Sequence, residues 1–201
     1  ANTPVTPYGI PCIWPQIPNI PPYHNNGIWP FVQSFWLWAG ASVHNQQSVM
    51  ESIGAIYRPA AMFLTNKENF VAENGDLSGT QINSSIMLWS LSGNLSLVHK
   101  VLFGIRFEPG HLAFHPFVPE ALKGNRSLTN FKYRHAVLDI EMTGFGNTIK
   151  SMTLDGKDLT NHTIPGNLEG RHAVTIHLDS QPAPPAITNR VPVVFSPEAP
   201  I

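Results

Sequence analysis

The spacing of the hydrophobic residues changes near residue 105, and this change divides the chain into two kinds of structure. Up to residue 105 the apolar residues recur at helical spacing, whereas several short segments between 106 and 180 alternate apolar and polar residues. Helices in one half and strands in the other predict an α+β chain, with a helical domain over 1–105 and a β domain over 106–180. Six prolines among residues 181–201 predict an extended, proline-rich tail or edge segment.

Three helices are predicted in the first half, preceded by a loop that is rich in proline. Six prolines between residues 8 and 30 exclude a long helix there, because proline lacks the backbone N–H that a helix needs. A helix is expected to begin near Pro30, since proline suits the first helical turn. A second is predicted from Gln46 to Phe63, with a kink or an early end at Pro59. The third is predicted from Thr80 to Leu102, with a break at its one glycine.

The second half has the pattern of a sheet with one face buried. Asp155-Gly156, between Leu154 and Lys157, is a strong signal for a two-residue hairpin turn. Short strands at this spacing are typical of an antiparallel β-sandwich. The predicted strands are Phe107–Phe114, Leu128–Tyr133, Ala136–Thr143, Ile149–Leu154 and His172–Leu178.

Charge and composition exclude several classes of function. The 12 Lys and Arg residues nearly balance the 13 Asp and Glu residues, so the chain lacks the basic surface that binds nucleic acid or anionic membranes. No apolar run reaches about 18 residues, so no membrane span is predicted. The first residues lack a signal-peptide pattern. We expect export to the periplasm or the extracellular space, with any signal removed or lying upstream.

A metal or other cofactor is not expected. The nine histidines are scattered, without HExxH or a comparable set of ligands. Cys12 is the single cysteine, so it can form neither an internal disulfide nor a cysteine-based zinc site, and we expect it to pack as a small apolar residue. A glycine-rich loop for phosphate and a GxSxG motif are both missing from the sequence.

The helical half contains only four carboxylates: Glu51, Glu68, Glu73 and Asp76. Glu51 lies on a predicted helix, where a solvated position is the ordinary reading. The other three share the loop 67–76, in which carboxylates are usually solvated but can also serve as acids or bases in catalysis. The loop sequence by itself leaves both interpretations open.

A second concentration of polar and aromatic residues lies between residues 14 and 30. Donors and acceptors suited to sugar hydroxyls occur there together with flat apolar rings, a combination that suits carbohydrate. The alternative is a packing corner at a helix start, with His24 capping backbone groups. The residues concerned are Trp14, Gln16, Tyr23, His24, Asn25, Asn26 and Trp29.

Three segments, in the same order, resemble the inverting α-glycosidases built on an (α/α)6 toroid, which include processing α-glucosidase I and its bacterial relatives, trehalases and debranching glucosidases. Residues 23–30 are similar to the loop YHNGxxWP of those enzymes. Glu68-Asn69-Phe70, followed by Gly75, Gly79 and Ser84, resembles the stretch ENYxPxTGxxxGxxxxSW. Residues 104–107 and 112–119 resemble the junction GLRP…GLxFxPxLP, which leads into a C-terminal β domain.

This resemblance implies part of an (α/α)6 toroid followed by a C-terminal antiparallel β-sandwich, with an oligosaccharide as substrate. It implies that Glu68 is the general base of an inverting glycoside hydrolase, with Glu73 as the second choice. Trp29 would form a stacking platform at the helix start. The sugar-binding residues would be Trp14, Tyr23, His24, Asn25, Asn26 and Trp29.

Three helices are too few for a toroid of twelve, so the remaining hairpins and the general acid are expected from a preceding part of the enzyme or from a second chain. Two rival functions stay open. A related glycoside phosphorylase would need a basic cluster near the site, where only Arg58 and Lys67 occur. A carbohydrate-binding protein without catalytic activity would keep the aromatic residues but have a silent Glu68.

Overall fold

The computed structural model describes residues 2–4, 7–183 and 189–191, which contain both helices and sheets. The mixed α+β class predicted from the sequence is therefore confirmed. The chain divides into two compact units, one formed by Ala1–Leu97 together with Pro185–Ile201 and the other by Val98–Pro184. Of the predicted tail, residues 184–188 and 192–201 lie outside the described part. The strand β12 (Asn189–Val191) pairs in parallel with β1 (Asn2–Pro4).

The proline-rich segment before Pro30 contains no helix and is fastened by side-chain amides. Gln33 is fully buried, and its side chain both accepts a hydrogen bond from Ile10 N (3.0 Å) and donates one to Ile10 O (2.8 Å). Asn25 acts in the same way on Ile17, with bonds of 2.7 Å and 3.1 Å. These contacts replace the backbone pairing that proline removes, so the segment is an ordered loop.

The first helix begins at the predicted proline, and the second spans the predicted range. Helix α1 (Pro30–Ser42) has proline in its first turn. Helix α2 (Gln46–Phe63) is capped by Asn45, whose side chain accepts a hydrogen bond from Ser48 N at 3.0 Å. The predicted early end at Pro59 does not occur, because α2 continues to Phe63 and ends at the left-handed Leu64 (φ 51°).

The third helix is shorter than predicted. Helix α3 spans Leu88–Ser96 and is followed by a π-helical segment, Leu97–Leu102. Residues 80–87 are irregular because their backbone is paired elsewhere: Gln81 N donates to Pro22 O, and Met87 N donates to Asn66 O. These backbone groups are therefore not available for helical hydrogen bonds.

The glycine of the third helix does not break it. Gly93 lies within α3, and a Cβ atom there would come within 2.8 Å of Pro30 O. The glycine therefore permits α3 to pack closely against the start of α1, which is a packing role that the sequence pattern did not predict.

Two sheets form the second unit. One has the order β10-β5-β4, built from β4 (Ile105–Phe107), β5 (His111–Phe114) and β10 (Thr163–Pro165). The single strand predicted over 107–114 is thus a hairpin. The other sheet has the order β6-β7-β11-β8-β9. Its strands are β6 (Arg126–Tyr133), β7 (His135–Thr143), β8 (Ile149–Leu154), β9 (Lys157–Asp158) and β11 (Glu169–Leu178).

The pairing in the larger sheet corrects the expectation of a purely antiparallel arrangement. Strands β7 and β11 run parallel, from Glu169 opposite His135 to His177 opposite Thr143, while the other pairs in this sheet are antiparallel. The parallel pair arises because the chain leaves β7, forms β8, β9 and β10, and returns on the free side of β7.

Both sheets contribute side chains to one hydrophobic core. Leu112 and Phe114 come from the smaller sheet, and Leu138, Ile140 and Ile176 come from the larger one; each is at most 3% exposed. These residues occupy alternate positions along their strands, which places one face of each sheet on the core. Burial of these apolar faces is the main stabilising contribution in this unit.

The hairpin turn at Asp155-Gly156 has the predicted form. Both residues have positive φ, 49° and 76°, between the antiparallel strands β8 and β9. The Asp155 carboxylate accepts hydrogen bonds from the His172 ring (2.6 Å) and from Ala173 N (2.9 Å), which lowers the pKa of Asp155. The side chain therefore ties the turn to β11.

We predict that Gly156→Ala lowers the free energy of unfolding by about 1–2 kcal/mol, because an L-residue is strained in the left-handed region. A Cβ atom at this position meets no other atom within 4 Å, so the loss is conformational and not steric. Gly110→Ala is the matched control, since its Cβ also has open space but its φ is not positive. Urea denaturation measures both variants; equal stabilities would contradict the account.

Candidate functional site

Glu68 is a buried carboxylate held on both of its oxygens. It is 6% exposed, and it lies in the loop between α2 and the short strand β3 (Phe70–Val71). The Tyr23 hydroxyl donates to Oε1 at 2.8 Å, and Ser84 N donates to Oε2 at 3.0 Å. Glu68 N donates in turn to Ser84 O at 3.0 Å. The two sequence segments singled out above therefore meet at this carboxylate.

The surroundings keep Glu68 ionised. Burial alone would raise its pKa, but the hydrogen bonds from Ser84 and Tyr23, together with the nearby His24, lower it below the usual value. The same contact raises the pKa of the Tyr23 hydroxyl, chiefly through its hydrogen bond to Glu68. Glu68 is thus a carboxylate at neutral pH, able to accept a proton.

A short pair of strands brings Tyr23 next to Glu68. Strand β2 (Gly27–Ile28) pairs with β3 in antiparallel register, with Gly27 opposite Val71. Gly27 is required here because a Cβ atom would lie 1.7 Å from Tyr23 O. Ile28 and Phe70 are each at most 2% exposed and pack together in one cluster. The pair of strands therefore fixes the loop of Tyr23 beside the loop of Glu68.

Glu73, the second choice for a base, has a different environment. It lies exposed in the turn that follows β3, where Gly75 N donates to Val71 O at 2.8 Å. The Glu73 carboxylate has no counterpart of the hydrogen bonds that Tyr23 and Ser84 donate to Glu68. The geometry favours Glu68 over Glu73 as the proton acceptor.

Aromatic rings surround the Tyr23 side of the carboxylate. The His24 ring stacks on Trp29, with ring centroids 4.8 Å apart and planes at 5°. Tyr23 meets both rings edge-on, at 4.5 and 5.0 Å. Trp29 Nε1 donates to Tyr23 O at 2.9 Å. The rings therefore hold Tyr23 rigidly, and His24 is the exposed member of this group.

The expectation that Trp29 is a stacking platform needs correction. Trp29 is only 3% exposed, because His24 covers one face and neighbouring rings contact its edges. No face of its indole is open to a sugar in the described part of the chain. Trp29 instead supports Tyr23 and His24 from behind.

The two asparagines of the loop make hydrogen bonds that hold the loop itself. Asn25 is 5% exposed, and its side chain makes three hydrogen bonds to the backbone of Ile17 and Ile20. Asn26 adopts a left-handed conformation (φ 50°), and its carbonyl accepts a hydrogen bond from Ala72 N at 2.9 Å. The Asn26 Oδ1 atom is buried without a protein partner, so it could still accept from a ligand or water.

Trp14 and Gln16 lie on the proline-rich loop, outside the ring contacts described above. Trp14 is 44% exposed. Gln16 is 7% exposed, and both polar atoms of its side chain lack a protein partner. An exposed indole and an unsatisfied amide agree with a ligand-binding loop, but these contacts do not join them to Glu68.

Trp89 also belongs to the aromatic group beside Glu68, although the sequence did not single it out. Trp89 stacks on Phe31 at 4.0 Å and contacts the edge of Trp29 at 6.1 Å. The next residue, Ser90, donates its hydroxyl to Lys67 O at 2.7 Å, directly before Glu68. The available signal was a tryptophan a few residues beyond Ser84-Ser85.

A cleft at the end of α2 is separate from Glu68. Its volume is about 250 Å³, and its walls include Arg58, Met62, Phe63 and Phe70 at the end of α2 and in β3. Glu68 does not line it.

Neither a membrane helix nor a metal cluster is found in the described part of the chain. Within those residues no helix is both long and apolar enough to cross a bilayer. No group of three or more His, Cys, Asp or Glu side chains comes together there in a way that could hold a metal ion. Burial raises the pKa of the Cys12 thiol to about 12, which makes it unreactive as a nucleophile.

Comparison with known proteins gives no match, either among protein-family models or among curated proteins. The function of the chain is therefore inferred from its own residues and their geometry.

We predict that Tyr23→Phe raises the pKa of Glu68, because the carboxylate loses the hydroxyl that donates to Oε1. Titration of the side-chain carboxyl groups by carbon-13 NMR measures this change. Tyr57→Phe is the matched control, since its hydroxyl donates to Asn94 O and not to Glu68. An unchanged Glu68 pKa in Tyr23→Phe would show that this hydrogen bond does not set the charge of the carboxylate.

Proposed function

We propose that this chain is the C-terminal portion of a glycoside hydrolase that cleaves α-linked glucosides or related oligosaccharides with inversion. The observation that carries the proposal is the buried, ionised Glu68, fixed by Tyr23 and Ser84 beside a group of aromatic rings. A fixed carboxylate that is ionised at neutral pH is in the state required to take a proton from water.

In the proposed reaction Glu68 accepts a proton from a water molecule as the water attacks the anomeric carbon. The glycosidic bond breaks, and a general acid on the opposite side protonates the leaving oxygen. In inverting enzymes the two carboxyl groups are roughly 6.5–9.5 Å apart, which leaves room for the water. Both oxygens of Glu68 already accept one hydrogen bond, and each keeps a lone pair for the water.

The general acid is proposed to come from another part of the enzyme or from a second chain. The described contacts of Glu68 include a tyrosine, a serine and a histidine but no second carboxylate. In the same proposal, α1, α2 and α3 are hairpin elements of an (α/α)6 toroid, and the two sheets of the second unit are a β-sandwich. The shared core of those sheets supports the second assignment.

A phosphorylase is the less favoured alternative, because phosphate would need free cationic side chains near Glu68. Lys67 Nζ donates to Ser85 Oγ at 2.5 Å, and Arg58 donates to Pro7 O at 2.8 Å. Both candidate cations therefore already have partners within the chain. Hydrolysis requires no such cation.

We predict that Glu68→Gln lowers kcat on α-glucosides or α-mannosides by about 10²–10⁴-fold while sugar affinity changes little, because glutamine keeps the shape of the side chain but accepts no proton. Glu73→Gln is the matched control and should retain activity. Normal turnover by Glu68→Gln would remove this residue from the reaction. Sugar binding without turnover, measured with the part of the enzyme that supplies the general acid present, would instead support a carbohydrate-binding function.

A further inference from the structure

One ring at the edge of the aromatic group has an open face. Trp89 is 52% exposed, although Phe31 covers one side of its indole at a centroid distance of 4.0 Å and an interplanar angle of 20°. With that side covered and half of the residue still exposed, the opposite side of the indole faces solvent. Trp89 therefore has the open surface that Trp29 lacks.

Trp89 is also fixed in position relative to Glu68. Trp89 makes a T-shaped contact with Trp29, which donates to the backbone of Tyr23, and the Tyr23 hydroxyl donates to Glu68. A second connection runs through Ser90, whose hydroxyl donates to Lys67 O. These two sets of contacts connect Trp89 and its helix to the residues around Glu68.

The chemistry of this surface suits a sugar ring. A pyranose has a face of C–H groups that packs on an indole, and its rim of hydroxyls needs donors and acceptors nearby. His24 is exposed beside Trp29, and its ring nitrogens can bond such hydroxyls. An open indole face in the same aromatic group as an exposed imidazole matches the two kinds of surface that a pyranose presents.

We propose that the open face of Trp89 is a stacking subsite for one pyranose ring of the substrate, supported from behind by Phe31. This assignment rests on the proposed glycoside hydrolase function. Trp89 acts in it as a residue for substrate binding and specificity, and Glu68 remains the proton acceptor. The neighbouring Leu88 is 77% exposed on the same helix but offers no flat ring, so it has no part in the subsite.

The test measures the affinity of the purified full chain for maltotriose and methyl α-glucoside by isothermal titration calorimetry. We expect Trp89→Leu, which keeps an apolar side chain against Phe31 but removes the flat face, to weaken binding about tenfold or more. Trp89→Phe should bind within about threefold of the unmutated protein. Leu88→Ala is the matched control and should bind normally.

Each outcome separates the subsite from the proposed function. If the unmutated protein binds sugar and Trp89→Leu binds equally well, the stacking subsite is overturned while the proposed function stands. If Leu88→Ala weakens binding as much as Trp89→Leu, the surface is an apolar contact and the subsite is again overturned. If the unmutated protein binds neither sugar, the subsite is overturned, whereas the proposed function is tested separately by the turnover of Glu68→Gln. Far-ultraviolet circular dichroism of each variant confirms that it is folded.

Discussion

The hydrogen bonds that satisfy the buried carboxylate of Glu68 are the interaction on which the helical unit depends. Burial of an ionised group without partners costs several kcal/mol, so the fold must bring donors to it. Tyr23 arrives from the loop before α1, and Ser84 arrives from the loop before α3. The need for these donors explains why residues 80–87 do not form a helix despite their helical spacing, because the backbone of Ser84 pairs with Glu68 in both directions.

The aromatic residues beside Glu68 differ in their exposure. Trp29 is buried at the start of α1, where it holds Tyr23 through its indole N–H and supports His24 by stacking. Trp89 lies at the edge of the same group and keeps an open face. A rigid group of rings next to a fixed carboxylate is preorganised, so binding a ligand costs little ordering of side chains.

Local patterns were sufficient to predict much of the fold. The helix start at Pro30 follows from the fit of proline to a first helical turn, and the turn at Asp155-Gly156 follows from the positive φ angles that this pair tolerates. The alternation of apolar residues located most strands of the second unit. The parallel pairing of β7 with β11 was not predictable, because it depends on the order in which distant strands add to the sheet.

The candidate site was only partly predictable for the same reason. Resemblance to a known motif singled out Tyr23 and Glu68, but their contact joins residues 45 positions apart, and nothing local indicates it. Burial decided the roles of Trp29 and Asn25, which sequence alone treated as sugar ligands. Trp89 lies at one of the helically spaced apolar positions, and such spacing does not indicate that the residue is 52% exposed.

The configuration of the first product tests the central claim most directly, because that claim makes Glu68 a base for water and not a nucleophile. Proton NMR in the first minutes of hydrolysis of an α-glucoside resolves the two anomers of the released sugar before they equilibrate. The account predicts that the β-anomer appears first. Initial release of the α-anomer would contradict it, since retention requires a covalent intermediate on a carboxylate nucleophile.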